Sequence, residues 1–220
     1  MMLAARGLID ESIHPAQVAG SFYPVDPAEL RNRIDQLMSA ERGCSLQGKA
    51  VVMPHAGLDF SGSVAAAAAQ ALDTQNHCQK VVIVGPSHRG NFKGIVLHPA
   101  RAWSTPLGEV PVDWVGMREL LPAEEVSIDR RPFIGEHSIE MPLLFLQRLF
   151  ARFQVIPILV GDMTAEAMAE NLRKVWGGPD TLICLSSDLS HFLSRDNARA
   201  LDREVVAQGA LLVNTPTMSA

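Results

Sequence analysis

Long hydrophobic runs are missing from this sequence: the longest uninterrupted apolar stretch covers only residues 64–69. A helix that spans a membrane needs about 18 apolar residues, so we expect a soluble protein with no membrane partner. Hydrophobic residues make up 47% of the chain and charged residues 20%, which excludes disordered and collagen-like proteins. With domains of roughly 150 residues as a guide, this length predicts one large α/β domain over residues 1–220.

Cysteine is also scarce. Cys44, Cys78 and Cys184 stand far apart with no CxxC pair, so the sequence indicates neither a disulfide framework nor a zinc ribbon. Residues 1–11 lack the apolar core and cleavage site of a secretory signal, and we expect a cytoplasmic protein with reduced thiols. The net charge of −5 and the lack of any lysine or arginine run argue against a nucleic-acid partner, because phosphate contacts need a basic surface.

Strand and helix patterns alternate along the chain. Four short apolar runs predict buried strands, at Ala50–Met53 and at residues 81–84, 155–160 and 181–185. Helical spacing follows the capping residue Asp26 and recurs at residues 63–72, at 136–150, after Thr164 and at 197–212. This alternation predicts an α/β fold, with a mostly parallel central sheet and helices on both faces. Pro157 lies in the third run, so we expect that strand at an edge or a bulge.

Three of the seven histidines come directly after predicted strands: His55 after the first, His88 after the second and His191 after the fourth. Parallel strands of an open sheet end at one edge, and ligands bind in the crevice outside those carboxyl ends. Neutral imidazole is the commonest metal ligand and the usual acid or base near neutral pH. The sequence therefore predicts one pocket in which these three histidines form a metal site with a proton-transfer group.

Acidic neighbours of two histidines are further candidates. A histidine with a glutamate three residues on can face one pocket from one helical turn, and Glu136, His137 and Glu140 have this spacing. We interpret them as partners behind the metal ligands, with a solvated first helical turn as the alternative. Asp188 stands three residues before His191 and could fix its tautomer through a hydrogen bond, with an Asx turn as the alternative.

Other catalytic signatures are missing. The chain contains no G-x-S-x-G elbow, which disfavours a serine–histidine triad at residues 186–191. It has neither the lysine of a phosphate-binding loop nor a G-x-G-x-x-G segment, so nucleotide chemistry has no support. His14, His77 and His98 do not follow predicted strands, and we expect them at the surface or in loops.

Six short motifs occur in order along the chain. They read PAQVAGSFYP at 15–24, PHAG at 54–57, GPSH at 85–88, WSTPLG at 103–108, EHSIE at 136–140 and SSDLSH at 186–191. Together they resemble the Memo-like family, which in bacteria and archaea is called AmmeMemoRadiSam system protein B. Each motif alone is weak, but six in family order over most of the chain are specific.

The resemblance implies a fold similar to that of the class III extradiol dioxygenases, the LigB-like fold, which holds a non-haem Fe(II) site. It also implies metal ligands at His55 and His88, and it places His191 at the acid/base position of the dioxygenases, with Asp188 in the same motif. AMMECR1-type and radical SAM proteins are the partners that the family association implies.

This sequence differs from the family at the position of the third metal ligand. In Memo-like proteins that ligand resembles a cysteine of a Cys-Gly motif some tens of residues beyond the Ser-Asp-x-Ser-His segment, where the dioxygenases use a glutamate. None of the three cysteines stands in that position. We therefore expect a chain that lacks the C-terminal segment of the family, or a variant without its third ligand.

Three functions remain open at this stage. We prefer a mononuclear metal protein with Fe(II) or Cu(I) that performs redox or oxygen chemistry, with His191 and Asp188 as catalytic residues and an unknown small molecule as substrate. The alternative is a non-catalytic module that binds a peptide or protein in the same pocket. A zinc hydrolase, with His191 and Asp188 assisting a metal-bound water, is the third candidate.

Overall fold

The computed structural model describes residues 10–40, 48–72 and 78–213, so Cys44 and His77 lie outside the described residues. The chain divides into two compact units, residues 1–187 and residues 188–220. Of the elements in the described residues, the first unit contains strands β1 to β9 and helices α1 to α5, and the second contains α6. A single domain over residues 1–220 stays a prediction. Along the described residues, no helix is long and apolar enough to cross a membrane.

Six strands of the first unit form the central sheet, in the order β2-β9-β3-β8-β4-β7. Every neighbouring pair is parallel except β4 with β8. The strands are β2 (Ala50–Met53), β3 (Lys80–Pro86), β4 (Ile95–Leu97), β7 (Val126–Ile128), β8 (Gln154–Val160) and β9 (Thr181–Ser186). The predicted mostly parallel α/β sheet is confirmed.

Helices of the first unit flank this sheet: α1 (Pro27–Ala40), α2 (Leu58–Gln70), α3 (Trp114–Arg118), α4 (Glu140–Leu149) and α5 (Ala165–Lys174). The second unit contains α6 (Arg195–Val213). Asp26 accepts hydrogen bonds from the backbone N–H groups of Ala28 and Glu29, which is the predicted cap of α1. The Thr164 hydroxyl caps α5 in the same way. Helix α2 begins at Leu58, five residues before the predicted start at Ser63, and Gly57 is its N-cap residue.

The core lies where β3 and β9 run side by side and α4 packs near them. Val81, Val82 and Ile83 of β3 are fully buried, as strands covered on both faces must be. In α4 every residue from Glu140 to Leu146 is buried, and α2 packs against both α4 and α1. This packing fixes the start of α4 against the carboxyl ends of the central strands.

The expectation for Pro157 is wrong, because β8 is an interior strand between β3 and β4. Pro157 pairs with Ile83 of β3 on one side. On the other side β4 pairs with β8 only from Ile158 onward. The residue without an N–H therefore stands just past the end of the β4 ladder, where the donor is not needed.

A separate three-stranded sheet has the order β1-β5-β6, with β1 (Asp10–His14), β5 (Ala100–Thr105) and β6 (Gly108–Pro111). Strands β5 and β6 form a hairpin, and β1 adds to β5 in parallel, so that His14 pairs with Trp103. Strand β1 has a mixed polar sequence and is not predicted by periodicity, although its pairing with β5 buries His14.

Candidate metal centre

Three histidines of the first unit converge at the carboxyl edge of the central sheet. His55 stands two residues beyond β2, His88 two residues beyond β3, and His137 lies in the turn before α4. Their ring centroids are 5.1 Å apart for His55 and His88, 5.5 Å for His55 and His137, and 4.4 Å for His88 and His137. One ligand nitrogen from each lies within 4.8 Å of the other two, so the group could hold a metal ion.

The turn that carries His137 reaches the strands because of a glycine. Gly85 is the sixth residue of β3, and a Cβ there would stand only 2.5 Å from the Ser138 hydroxyl oxygen and 3.1 Å from the Ile139 side chain. The Ser138 hydroxyl also donates to the Pro86 carbonyl oxygen at 2.8 Å. The absence of a side chain at Gly85 therefore lets this turn dock on the end of β3, which brings His137 against His88.

The tautomer of His55 follows from its hydrogen bonds. Met53 at the end of β2 pairs with Ser186 at the end of β9, which places the Ser186 hydroxyl 2.7 Å from His55 Nδ1. That hydroxyl donates its single hydrogen to the Ser138 carbonyl oxygen at 2.5 Å. Its oxygen must therefore accept from Nδ1–H of His55, and the lone pair of the ring stands on Nε2, ready for a metal.

Glu136 sets the tautomer of His88 in the same way. Its Oε1 atom lies 2.9 Å from His88 Nδ1, and a carboxylate can only accept, so His88 donates from Nδ1 and keeps its lone pair on Nε2. His55 is almost completely buried, whereas 31% of the His88 side-chain surface is exposed. The histidine cluster is therefore open to solvent on the His88 side.

Glu136 is itself buried and held by backbone donors. Its carboxylate accepts from the N–H groups of His88 at 2.5 Å, His137 at 2.8 Å and Ser138 at 2.9 Å, in addition to His88 Nδ1. Burial alone would raise the pKa of Glu136, but the hydrogen bonds from His88 and Ser138 outweigh it and lower the pKa. A fixed negative charge thus stands directly behind the ligand histidines.

Glu140 contacts the loop beside the histidine cluster rather than the ligand histidines. It is buried, and it accepts hydrogen bonds from the Gln17 N–H at 2.6 Å, the Val18 N–H at 3.2 Å and the Tyr23 hydroxyl. Burial raises the pKa of Glu140 despite these donors, and burial with the neighbouring Glu140 raises that of Tyr23. These bonds fasten the loop at residues 15–24, whose Phe22 ring packs 4.7 Å from the His137 ring.

Asp188 and His191 belong to the second unit. His191 Nε2 lies 3.7 Å from Asp188 Oδ2, close enough for an ion pair when the imidazole is protonated. Asp202 of α6 accepts from the Ser190 N–H at 3.0 Å, and Leu189 has a positive φ of 62°, so the segment makes a tight turn. The ligand and catalytic roles of His191 and Asp188 stay predictions.

Neither described cysteine belongs to the histidine group. Cys184 is fully buried in β9, and burial raises the pKa of its thiol to about 12, so it stays protonated. The Cys78 thiol donates to the Lys80 carbonyl oxygen at the start of β3, and burial raises its pKa as well. A metal ion at the cluster would therefore meet nitrogen donors from His55, His88 and His137.

The expectation for His14 is wrong, because it is buried at the end of β1, whereas His98 lies in the loop between β4 and β5 as expected but is also buried. They form an aromatic cluster with Trp103 and Phe133, in which the two imidazole centroids lie 4.4 Å apart. Burial lowers the pKa of His14 to about 3, with the neighbouring His98 as a second cause, and it lowers the pKa of His98 to about 4. These histidines are neutral core residues.

Comparison with known proteins identifies the family. A family model described as Memo-like protein matches residues 14–214. The chain belongs to the Memo-like family. A MEMO1 family protein of Aquifex aeolicus is 34% identical over 194 residues, which cover 86% of this chain and 72% of the relative. Another, of Sulfolobus acidocaldarius, is 37% identical over 198 residues, covering 81% of this chain and 70% of the relative.

In this Memo-like chain the structure brings together His55 and His88, which sequence reasoning placed in one pocket, and Glu136, which it placed behind them. It adds His137 to the ligand group, whereas the sequence predicts a supporting role for that residue. Only two indirect features of the sequence point to His137. Gly85 lets the turn that carries His137 approach β3, and Pro142 places the start of α4 beyond the histidine.

Proposed function

We propose that this protein binds one redox-active transition-metal ion, Fe(II) or Cu(I), through His55, His88 and His137, and uses it in redox or oxygen chemistry on a small substrate. The observation that carries the proposal is the pair of Nδ1 hydrogen bonds, from His55 to Ser186 and from His88 to Glu136. Metal-binding histidines almost always donate their second N–H to such a partner, which fixes the ring and raises its basicity.

The donor set suits a transition metal. Neutral imidazoles favour iron, copper, zinc and nickel, whereas magnesium and calcium need oxygen ligands. The buried Glu136 charge, held below its usual pKa, supports a cation at the cluster without coordinating it. The three nitrogens leave positions on a bound ion for a small ligand, and the exposed edge of His88 provides the access.

The roles of the chain's own residues follow from this geometry. His55, His88 and His137 would hold the ion, which when bound supplies electron transfer to a substrate or to oxygen. Ser186 and Glu136 orient two of the rings. We further propose that His191 supplies the proton-transfer group, with Asp188 orienting it, as the family motif implies.

Zinc chemistry is the second candidate, and the all-nitrogen ligand group favours it. Three histidines with an open fourth position form a common catalytic zinc site, in which the metal-bound water is acidified for hydrolysis. Fe(II) or Cu(I) remains our first proposal because of the family resemblance. A cytoplasmic location and partners of the AMMECR1 and radical SAM types belong to the same proposal.

Metal analysis tests this function. The protein is purified without oxygen, and its affinities for Fe(II), Cu(I) and Zn(II) are measured beside those of His55→Ala, His88→Ala and His137→Ala. We expect about one ion per chain, and a loss of at least about 100-fold in each variant, the upper limit for losing an outer partner alone. His98→Asn is the matched control, because Asn can still accept from the Ala100 N–H.

Activity assays then separate the candidate functions. Histidine-dependent oxygen uptake with a panel of catechols supports redox chemistry, and ester or amide hydrolysis restored by zinc but not by iron supports a hydrolase. A metal-loaded protein without either activity supports the binding module. Stoichiometric metal in all three alanine variants would contradict the ligand assignment.

A further inference from the structure

One exposed arginine is bonded to a chain segment that carries the histidine cluster. Arg89 follows His88 directly and is exposed, and its Nε–H donates to the Gly135 carbonyl oxygen at 3.0 Å. A Cβ on Gly135 would stand 3.5 to 3.9 Å from three atoms of this guanidinium, so the group lies against Gly135. Arg89 is thus attached to the two segments that carry His88 and His137.

Most N–H groups of the Arg89 guanidinium are available to a ligand. Five N–H groups are available in arginine, and the Nε–H bond to Gly135 uses one of them. Within the described ranges, no carboxylate forms an ion pair with Arg89. The adjacent carboxylate, Glu136, is nearly fully buried and already accepts four hydrogen bonds, two of them from His88.

The chemistry of this position favours an oxyanion. The two Nη groups of a guanidinium match the two oxygens of a carboxylate, and such charge-assisted pairs are about twice as strong as neutral hydrogen bonds. A bound cation at the cluster would add to the positive potential at the same opening. A neutral group at this position would gain no charge-assisted hydrogen bond from Arg89.

We propose that Arg89 is a specificity-determining residue that binds a carboxylate group of the substrate at the mouth of the metal centre. This inference rests on the proposed metal function and extends it from an unspecified small molecule to an anionic one. Arg89 holds the carboxylate, and the remainder of the substrate extends toward the exposed edge of His88.

The test compares two probes of the same size that differ in charge, butyrate and butyramide. Zinc-loaded protein, which is diamagnetic, is titrated with each probe, and the dissociation constants are obtained from NMR shifts. We expect Arg89→Gln to weaken butyrate binding about tenfold and to leave butyramide binding unchanged, with Arg89→Lys in between. Arg152→Gln is the matched control: Arg152 is exposed just before β8, at the opposite edge of the sheet.

Metal content is measured on every sample, so that a failure of the Arg89 proposal can be distinguished from a failure of the proposed metal function. Equal butyrate affinity in wild type and Arg89→Gln, with full zinc in both, overturns the anion contact and leaves the metal function standing. An equal weakening in Arg152→Gln shows a general charge effect and also overturns it. A wild-type protein that holds no zinc, iron or copper overturns the metal function, and the Arg89 inference falls with it.

Discussion

Two groups of closely spaced histidines in this protein have similar ring separations and different surroundings: the metal centre is partly exposed and the aromatic cluster is buried. His88 and His137 lie 4.4 Å apart in the metal centre, and His14 and His98 lie 4.4 Å apart in the aromatic cluster. In the metal centre, His88 donates to a carboxylate. In the aromatic cluster, the buried His14 Nε2 atom has no hydrogen-bond partner among the described residues.

The difference shows what separates a metal site from a core histidine pair. Close rings alone do not define a ligand set, because desolvation disfavours any positive charge beside a buried pair that has no acceptor behind it. An acceptor at Nδ1, such as Glu136 or Ser186, directs the lone pair to Nε2 and supports positive charge. The acceptors behind the rings are therefore the features to change.

Among changes to the acceptors behind the rings, Glu136→Gln should have the largest effect. The substitution removes the negative charge and places an amide among donors that need an acceptor, so we expect metal affinity to fall by about 10- to 100-fold. Competition with a chelator of known affinity measures the loss. Glu109→Gln, at an exposed position in β6, is the control, and equal affinities for both variants would contradict the role of Glu136.

Ser186→Ala should have a smaller effect. His55 loses the acceptor that fixes its tautomer, but no charge is removed, so we expect a loss near the lower end of that range, about tenfold. The same chelator competition applies, with Ser61→Ala as the control at a part-buried serine in α2. Wild-type affinity in Ser186→Ala would show that the His55 ring is held by other contacts.

A substitution in the aromatic cluster should change the stability of the fold and leave metal binding unchanged. The folded pKa of His14, about 3, lies below its ordinary value of 6.5, so the unfolded chain binds more protons between these values. The resulting stability is complete above about pH 6.5 and declines as the pH falls, by about 1.4 kcal/mol per pH unit for each such histidine. Denaturant unfolding at pH 7, 6 and 5 should show a shallower decline in His14→Phe. An unchanged slope would contradict the role of His14.

Sequence reasoning predicted the parts of this fold that depend on local pattern. Strand β2, the cap at Asp26 and the placement of His55 and His88 beyond buried strands all follow from periodicity and short motifs. The burial of His14 could not be predicted, because it depends on the pairing of a polar strand with distant β5. His137 depends on how closely a turn approaches Gly85, which is a property of packing.

A crystal structure of the metal-loaded protein, with the ion located by anomalous scattering, tests the central claim most directly. We predict one peak about 2.0 to 2.2 Å from a ring nitrogen of each of His55, His88 and His137, with Glu136 behind His88 and no peak in the aromatic cluster. A peak that lacks His137, or one beside His14 and His98, would contradict the account.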